Sequence, residues 1–87
     1  MKIFTYDIRG SELQVFVAAK WTKIYVNGHL SDWSMELDNN LFHAHIPTVG
    51  KITITTTMVY DDSKQNCTVT VPLEDKPILP LSIESYN

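Results

Sequence analysis

Eighty-seven residues make one small domain. A hydrophobic content of 44 % with 20 % charged residues is globular and excludes a disordered chain. The formal charge of -3 gives no basic footprint for tracking phosphates and is too mild for a nucleic-acid mimic, so neither nucleic acid nor membrane is expected as a partner.

Along the chain, apolar residues recur at period two. Phe4, Tyr6 and Ile8 alternate with polar neighbours until Arg9-Gly10-Ser11 breaks the run. Leu13, Val15, Val17 and Ala19 continue the pattern, then Thr22, Ile24 and Val26 up to Asn27-Gly28. Phe42, Ala44 and Ile46 lead into Pro47-Thr48-Val49-Gly50. Ile52, Ile54, Thr56, Met58 and Tyr60 form the longest strand, and Cys67, Val69 and Val71 follow the polar loop 61–66. Short strands at a spacing of about 8 to 12 residues predict an all-β chain, a small antiparallel β-sandwich of about seven strands. Cys67 is the only cysteine, so there is no internal disulfide. No stretch approaches the roughly 20 apolar residues that span a bilayer, and Met1 to Asp7 lacks a signal peptide's apolar run, so a cytoplasmic protein is expected.

Asn27-Gly28 between alternating flanks predicts a two-residue type I′ hairpin. That register sets Val26 against His29, Tyr25 against Leu30, Lys23 against Asp32, Thr22 against Trp33 and Trp21 against Ser34. One face then carries Ile24, Val26, Trp33 and Met35 as core, and the other carries Trp21, Lys23, Tyr25, Leu30 and Asp32 outward.

The run from Trp21 to Gly28 resembles the strand and turn of bacterial and phage immunoglobulin-like domains. Gly50-Lys51-Ile52-Thr53-Ile54-Thr55 is similar to their glycine-led penultimate strand, and Tyr60-Asp61-Asp62 with Cys67 to Val71 to their last loop and strand. The resemblance covers about residues 3 to 73, without the cysteine pair of antibody domains. It implies an immunoglobulin-like sandwich over 1–73 with a binding or structural role, and it carries over no catalytic residue.

Candidate chemistry is sparse. His43 and His45 share one strand face, and two imidazoles at this spacing can converge on a metal. A site needs a third ligand, for which His29, Asp38 and Cys67 are the available side chains. Cys67 has inward parity, which favours an inert thiol over a nucleophile. Asp61, Asp62, Ser63 and Asn66 offer oxygens but no calcium-loop spacing, and the isolated glycines make no phosphate loop. No enzyme activity and no cofactor are expected. Thr53, Thr55 and Thr57 with Thr68 and Thr70 read as a solvated β face.

Two surfaces are candidates for a protein partner. One is the outward hairpin face, where Trp21, Tyr25 and Leu30 are flanked by Lys23 and Asp32. The other is residues 74–87, whose Ile78, Leu79, Leu81, Ile83 and Tyr86 are too apolar for a solvated tail. With Pro77 and Pro80, this segment is expected as an edge strand or an extended arm, and an arm could build a homo-oligomer. As a separable arm it predicts that deletion after Asp75 leaves the fold intact. The expected function is a non-enzymatic protein-protein interaction module, such as a phage or mobile-element product that serves in the virion or inhibits a host factor. The alternatives are a carbohydrate-binding module stacking sugars on Trp21 and Tyr25, and a metal-dependent function at His43 and His45.

Overall fold

Turn residues convert the alternation into registered strands. A computed structural model describes residues 1–36, 40–61 and 64–86, without the side chains of Tyr60, Asp61, Lys64 and Gln65. Strands β1 (Lys2–Ile8) and β2 (Ser11–Val17) are joined by Arg9-Gly10, and β3 (Thr22–Val26) and β4 (His29–Ser34) by Asn27-Gly28. Both central residues of each link have positive φ, 51° and 92° in the first and 49° and 81° in the second. This is the type I′ geometry whose twist matches that of the paired strands. Asn27 also ties its hairpin to β2: its N–H donates to Glu12 O, and its Oδ1 accepts from Glu12 N, each at 2.8 Å.

β5 (Asn40–Ile46) turns through Pro47-Thr48-Val49 into β6 (Gly50–Asp61), which pairs with β7 (Lys64–Thr70). Val49 N–H donates to Ile46 O at 3.1 Å, with Pro47 in the second turn position and Gly50 at φ 95°. A proline-led turn followed by a left-handed glycine is the usual three-residue hairpin with a bulge. Thr48 docks this turn on the β1–β2 end: its hydroxyl donates to Ile8 O at 2.7 Å, so the buried Ser11 hydroxyl, 3.0 Å away, donates to Thr48 Oγ1. The chain ends with a short hairpin, β8 (Pro72–Leu73) and β9 (Lys76–Pro77), and then β10 (Ser82–Ser85).

The strands form a five-stranded antiparallel sheet in the order β10-β1-β2-β3-β4 and a three-stranded sheet β5-β6-β7. Phe4, Tyr6, Ile8, Leu13, Val15, Val17 and Ile24 from the first meet Phe42, Ala44, Ile46 and Ile54 from the second in one core, with Val71. The all-β antiparallel architecture without a disulfide is as the alternation predicts. The seven long strands are those of the expectation, and the three short ones add to it. The first strand break narrows to Arg9-Gly10, since Ser11 already pairs with Ile8, and β2 ends at Val17, before Ala19.

The hairpin register is correct only next to its turn. Val26 pairs with His29 and Tyr25 with Leu30, but Ile24 then pairs with Asp32, Lys23 with Trp33 and Thr22 with Ser34. Ser31 is an extra residue, a β-bulge, and it exchanges the faces of everything after it. The expected pairs Lys23–Asp32, Thr22–Trp33 and Trp21–Ser34 therefore do not form. Trp33 and Met35, expected in the core, are 55 % and 67 % exposed. Asp32 instead turns toward the second sheet, where its Oδ2 accepts the His43 N–H at 3.1 Å and so occupies a donor on β5.

The apolar tail is an edge strand of its own domain. Residues 82–85 pair with Thr5 to Lys2 of β1. Ile78 N–H donates to Val71 O at 2.9 Å, Leu81 N–H to Thr5 O at 2.7 Å, and Tyr86 and Met1 exchange main-chain bonds of 2.7 and 2.6 Å. Ile78 packs on the core, whereas Leu79 is 90 % exposed and Leu81, Ile83 and Tyr86 are also exposed.

Candidate functional site: an aromatic face around Lys23

Because Phe4, Val15, Val17, Thr22 and Ile24 point into the core, their strand neighbours point to the opposite face of the five-stranded sheet. Paired residues share a face, so the registers place Glu84, Ile3, Phe16, Lys23 and Trp33 in one row across all five strands. The adjacent row is Ser82, Thr5, Gln14, Tyr25 and Leu30.

Lys23 thus has Phe16 and Trp33 on its two flanks, Tyr25 two residues further along β3, and Trp21 two residues back, just ahead of the strand. Its ammonium lies 4.6 Å from the Trp21 ring centroid, a cation–π contact. The Phe16 and Tyr25 rings meet edge to face, with centroids 5.0 Å apart and planes at 60°. Phe16, Trp21, Lys23 and Tyr25 are half-buried, and Leu30 and Trp33 are exposed. Among the described residues the salt bridge is Arg9–Glu74, at the turn tips, so Lys23 has no carboxylate partner there. What the face offers chemically is contact: rigid aromatic surface with one central cation.

The structure brings Trp21, Lys23, Tyr25 and Leu30 together on this face, as expected, and removes Asp32 from it. Of the tail residues, Ile78 is packed on the core, and Leu79, Leu81, Ile83 and Tyr86 lie along the β10 side. Ile3, Phe16, Trp33 and Glu84 belong to the face but were not read from sequence. Ile3 and Phe16 do carry a signal, as large apolar residues at the polar parity of strands whose other parity is already core.

His43 and His45 are exposed on the outer side of β5, opposite Thr53 and Lys51. His43 Nδ1 is 3.4 Å from Thr53 Oγ1. Among the described residues no group of three His, Cys, Asp or Glu side chains forms around them, and His29 and Cys67 do not join them. Asp38, Asp62 and Ser63 lie outside the described residues.

Cys67 faces inward beside Tyr6 and lines an open cleft of about 230 Å³ with Met1, Lys2, Val17, Ala18, Ala19 and Met58. Burial pushes the Cys67 thiol above its ordinary range, with Lys2 pulling weakly the other way; burial and the neighbouring thiol push the Tyr6 phenol up as well. Both groups are therefore held neutral more firmly in the folded than in the unfolded chain, so their contribution to stability is complete below the unfolded pKa. It is lost as pH rises from the ordinary values, about 9 for the thiol and 10 for the phenol, toward the folded ones. Urea melts at pH 8 and pH 10.5 should show this alkaline loss, and Tyr6→Phe with Cys67→Ala should shrink it. An equal loss in the double variant would assign the effect elsewhere.

No protein-family model, curated protein or solved structure matches the chain. The immunoglobulin-like resemblance thus rests on its sequence pattern. Among the described residues no helix is long and apolar enough to cross a membrane.

Proposed function

We propose that this protein is a non-enzymatic interaction module that docks a protein partner on the outer face of its five-stranded sheet. The observation that carries this reading is the cluster of Phe16, Trp21, Tyr25, Leu30 and Trp33 around Lys23 on a face directed away from the core. Aromatic and aliphatic side chains held by sheet pairing lose little conformational freedom on binding, which suits them as anchors. Burying a few of them contributes several kcal/mol, at roughly 25 cal/mol per Å² of apolar surface.

The sugar-stacking reading is weaker, because a pyranose needs an open ring face. The Lys23 ammonium already lies over Trp21, and the Tyr25 ring is engaged edge to face by Phe16.

A photo-crosslinking amino acid at position 33 should trap discrete protein adducts in native lysate, and the same group at Thr57, on the opposite sheet, should not. Adding Tyr25→Ala and Leu30→Ser should reduce the position-33 adducts at least fivefold. Equal labelling at positions 33 and 57 would reject the face as the docking surface.

A further inference from the structure

We propose that the partner on this face is a second copy of the same chain, in a twofold-symmetric, face-to-face dimer held by reciprocal Lys23–Glu84 pairs. This rests on the reading of the aromatic face as the docking surface and names its occupant.

The argument starts from the row Glu84, Ile3, Phe16, Lys23, Trp33. Its carboxylate lies on β10 and its cation on β3, with two apolar residues between them. Neighbouring strands are about 4.8 Å apart, so the two charges are separated by about 14 Å on one face, too far to pair within one chain. A twofold axis parallel to the strands, lying in the contact plane midway between β1 and β2, carries β3 of one copy over β10 of the other. The same operation carries β2 over β1. Lys23 then meets Glu84 of the second copy, and Glu84 meets its Lys23. Phe16 meets Ile3 of the second copy at the centre of the contact, and the reciprocal contact forms beside it.

The next residues along the strands agree. Tyr86 is bonded to Met1 through the main chain, and its hydroxyl donates to the Glu84 carboxylate, which puts Tyr86 on the Glu84 side of β10. The axis sets Trp21 over Tyr86 of the second copy and Tyr25 over Ser82. An isologous contact needs such self-complementarity, and this face carries it in both charge and apolar surface. A heterologous partner that covered Lys23 would have to bring its own anion, since an unpaired ammonium is costly to dehydrate. The second copy brings Glu84.

One row opposes closure. Asp7 pairs with Glu12 toward the Arg9-Gly10 turn, and the axis places Glu12 over Asp7 of the second copy. The Asp7 carboxylate is partly turned away, because Oδ1 accepts the Gly10 N–H at 3.1 Å. The contact therefore closes at the Trp21 end and is weakest at this turn. The overlap is four strands, β10 to β3, by about five residues, some 14 by 17 Å, with β4 outside it; this is small for a stable interface, so the dimer is weak and depends on concentration.

Sedimentation equilibrium from about 5 µM to 500 µM tests this directly. The wild type should show a monomer–dimer equilibrium within that range. Lys23→Glu and Glu84→Lys should each weaken it at least tenfold, because each replaces two attractive pairs by two repulsive ones. The double variant should return to within about threefold of wild type, and Glu12→Lys should tighten the dimer. All three positions are at least partly exposed, and the circular dichroism spectrum of each variant checks that it folds; Lys23→Gln and Glu84→Gln, each expected to weaken the dimer about threefold or more, replace any variant that does not. A wild type that stays monomeric at 500 µM would overturn the dimer and leave the docking face standing on the position-33 adducts. A dimer indifferent to both single substitutions, or a double variant that fails to recover, would overturn the pairing.

Discussion

Phe42→Ala should lower the unfolding free energy by about 3–5 kcal/mol, whereas Trp33→Ala should change it by less than about 1 kcal/mol. Phe42 lies on β5 with Ala44 and Ile46, and its ring is enclosed between the two sheets at 1 % exposure. Truncation removes its transfer energy and leaves a cavity that the close-packed strands around it can only partly fill. Trp33 is the larger side chain, and by composition the more obvious core residue, but it stands on the outer face. A domain of this size has a total stability of about 4–13 kcal/mol, so the first substitution takes a large share of it, with a melting shift on the order of 20 °C. Chemical denaturation of the two variants beside wild type measures both. Comparable losses would mean that Trp33 is in the core and that β4 carries no bulge. A small loss at Phe42 would mean that the two sheets do not enclose one core.

That contrast also marks where the sequence could be read. Alternation set the inward residues of β1, β2, β3, β5 and β6, and Asn27-Gly28 set the first two pairs of its hairpin, because each of these is a local constraint. The bulge at Ser31 was hidden because Ser31-Asp32 is polar on both sides and tolerates either register. A clue was present. Leu30 has one parity and Trp33 and Met35 the other, so all three can share a face only if an extra residue lies between them. The β8–β9 hairpin gave no glycine to read, since Glu74 and Asp75 take positive φ, 51° and 63°, without one. The aromatic face was half legible. Trp21, Lys23, Tyr25 and Leu30 come from one hairpin, whereas Phe16, Ile3 and Glu84 join them only through the strand order β10-β1-β2-β3. That order depends on where the chain end returns, which local pattern does not encode.

Deletion after Asp75, expected from sequence to leave the fold intact, should instead destabilise it by about 2–4 kcal/mol and promote association. The segment removed is the edge of the five-stranded sheet, not an appendage. It supplies Ile78, packed on the core and bonded to Val71, and the main-chain partners of β1 from Thr5 back to Met1. Conformational freedom regained by the released residues offsets much of this, which keeps the net effect below the sum of the lost bonds. Nothing then covers the bare edge of β1, where Phe4, buried in the intact chain, loses Ile83 as its neighbour. An unprotected edge of this kind is a template for pairing with another chain. The result should be a lower denaturation midpoint together with oligomers that grow with concentration. Those oligomers would be distinguishable from the face-to-face dimer, because β10 carries Glu84 and its deletion removes the Lys23–Glu84 pairs. Titrating back a peptide of residues 76–87 should restore the midpoint by reoccupying the β1 edge. A truncated chain that melts with wild-type stability and stays monomeric would show that β10 is an arm after all.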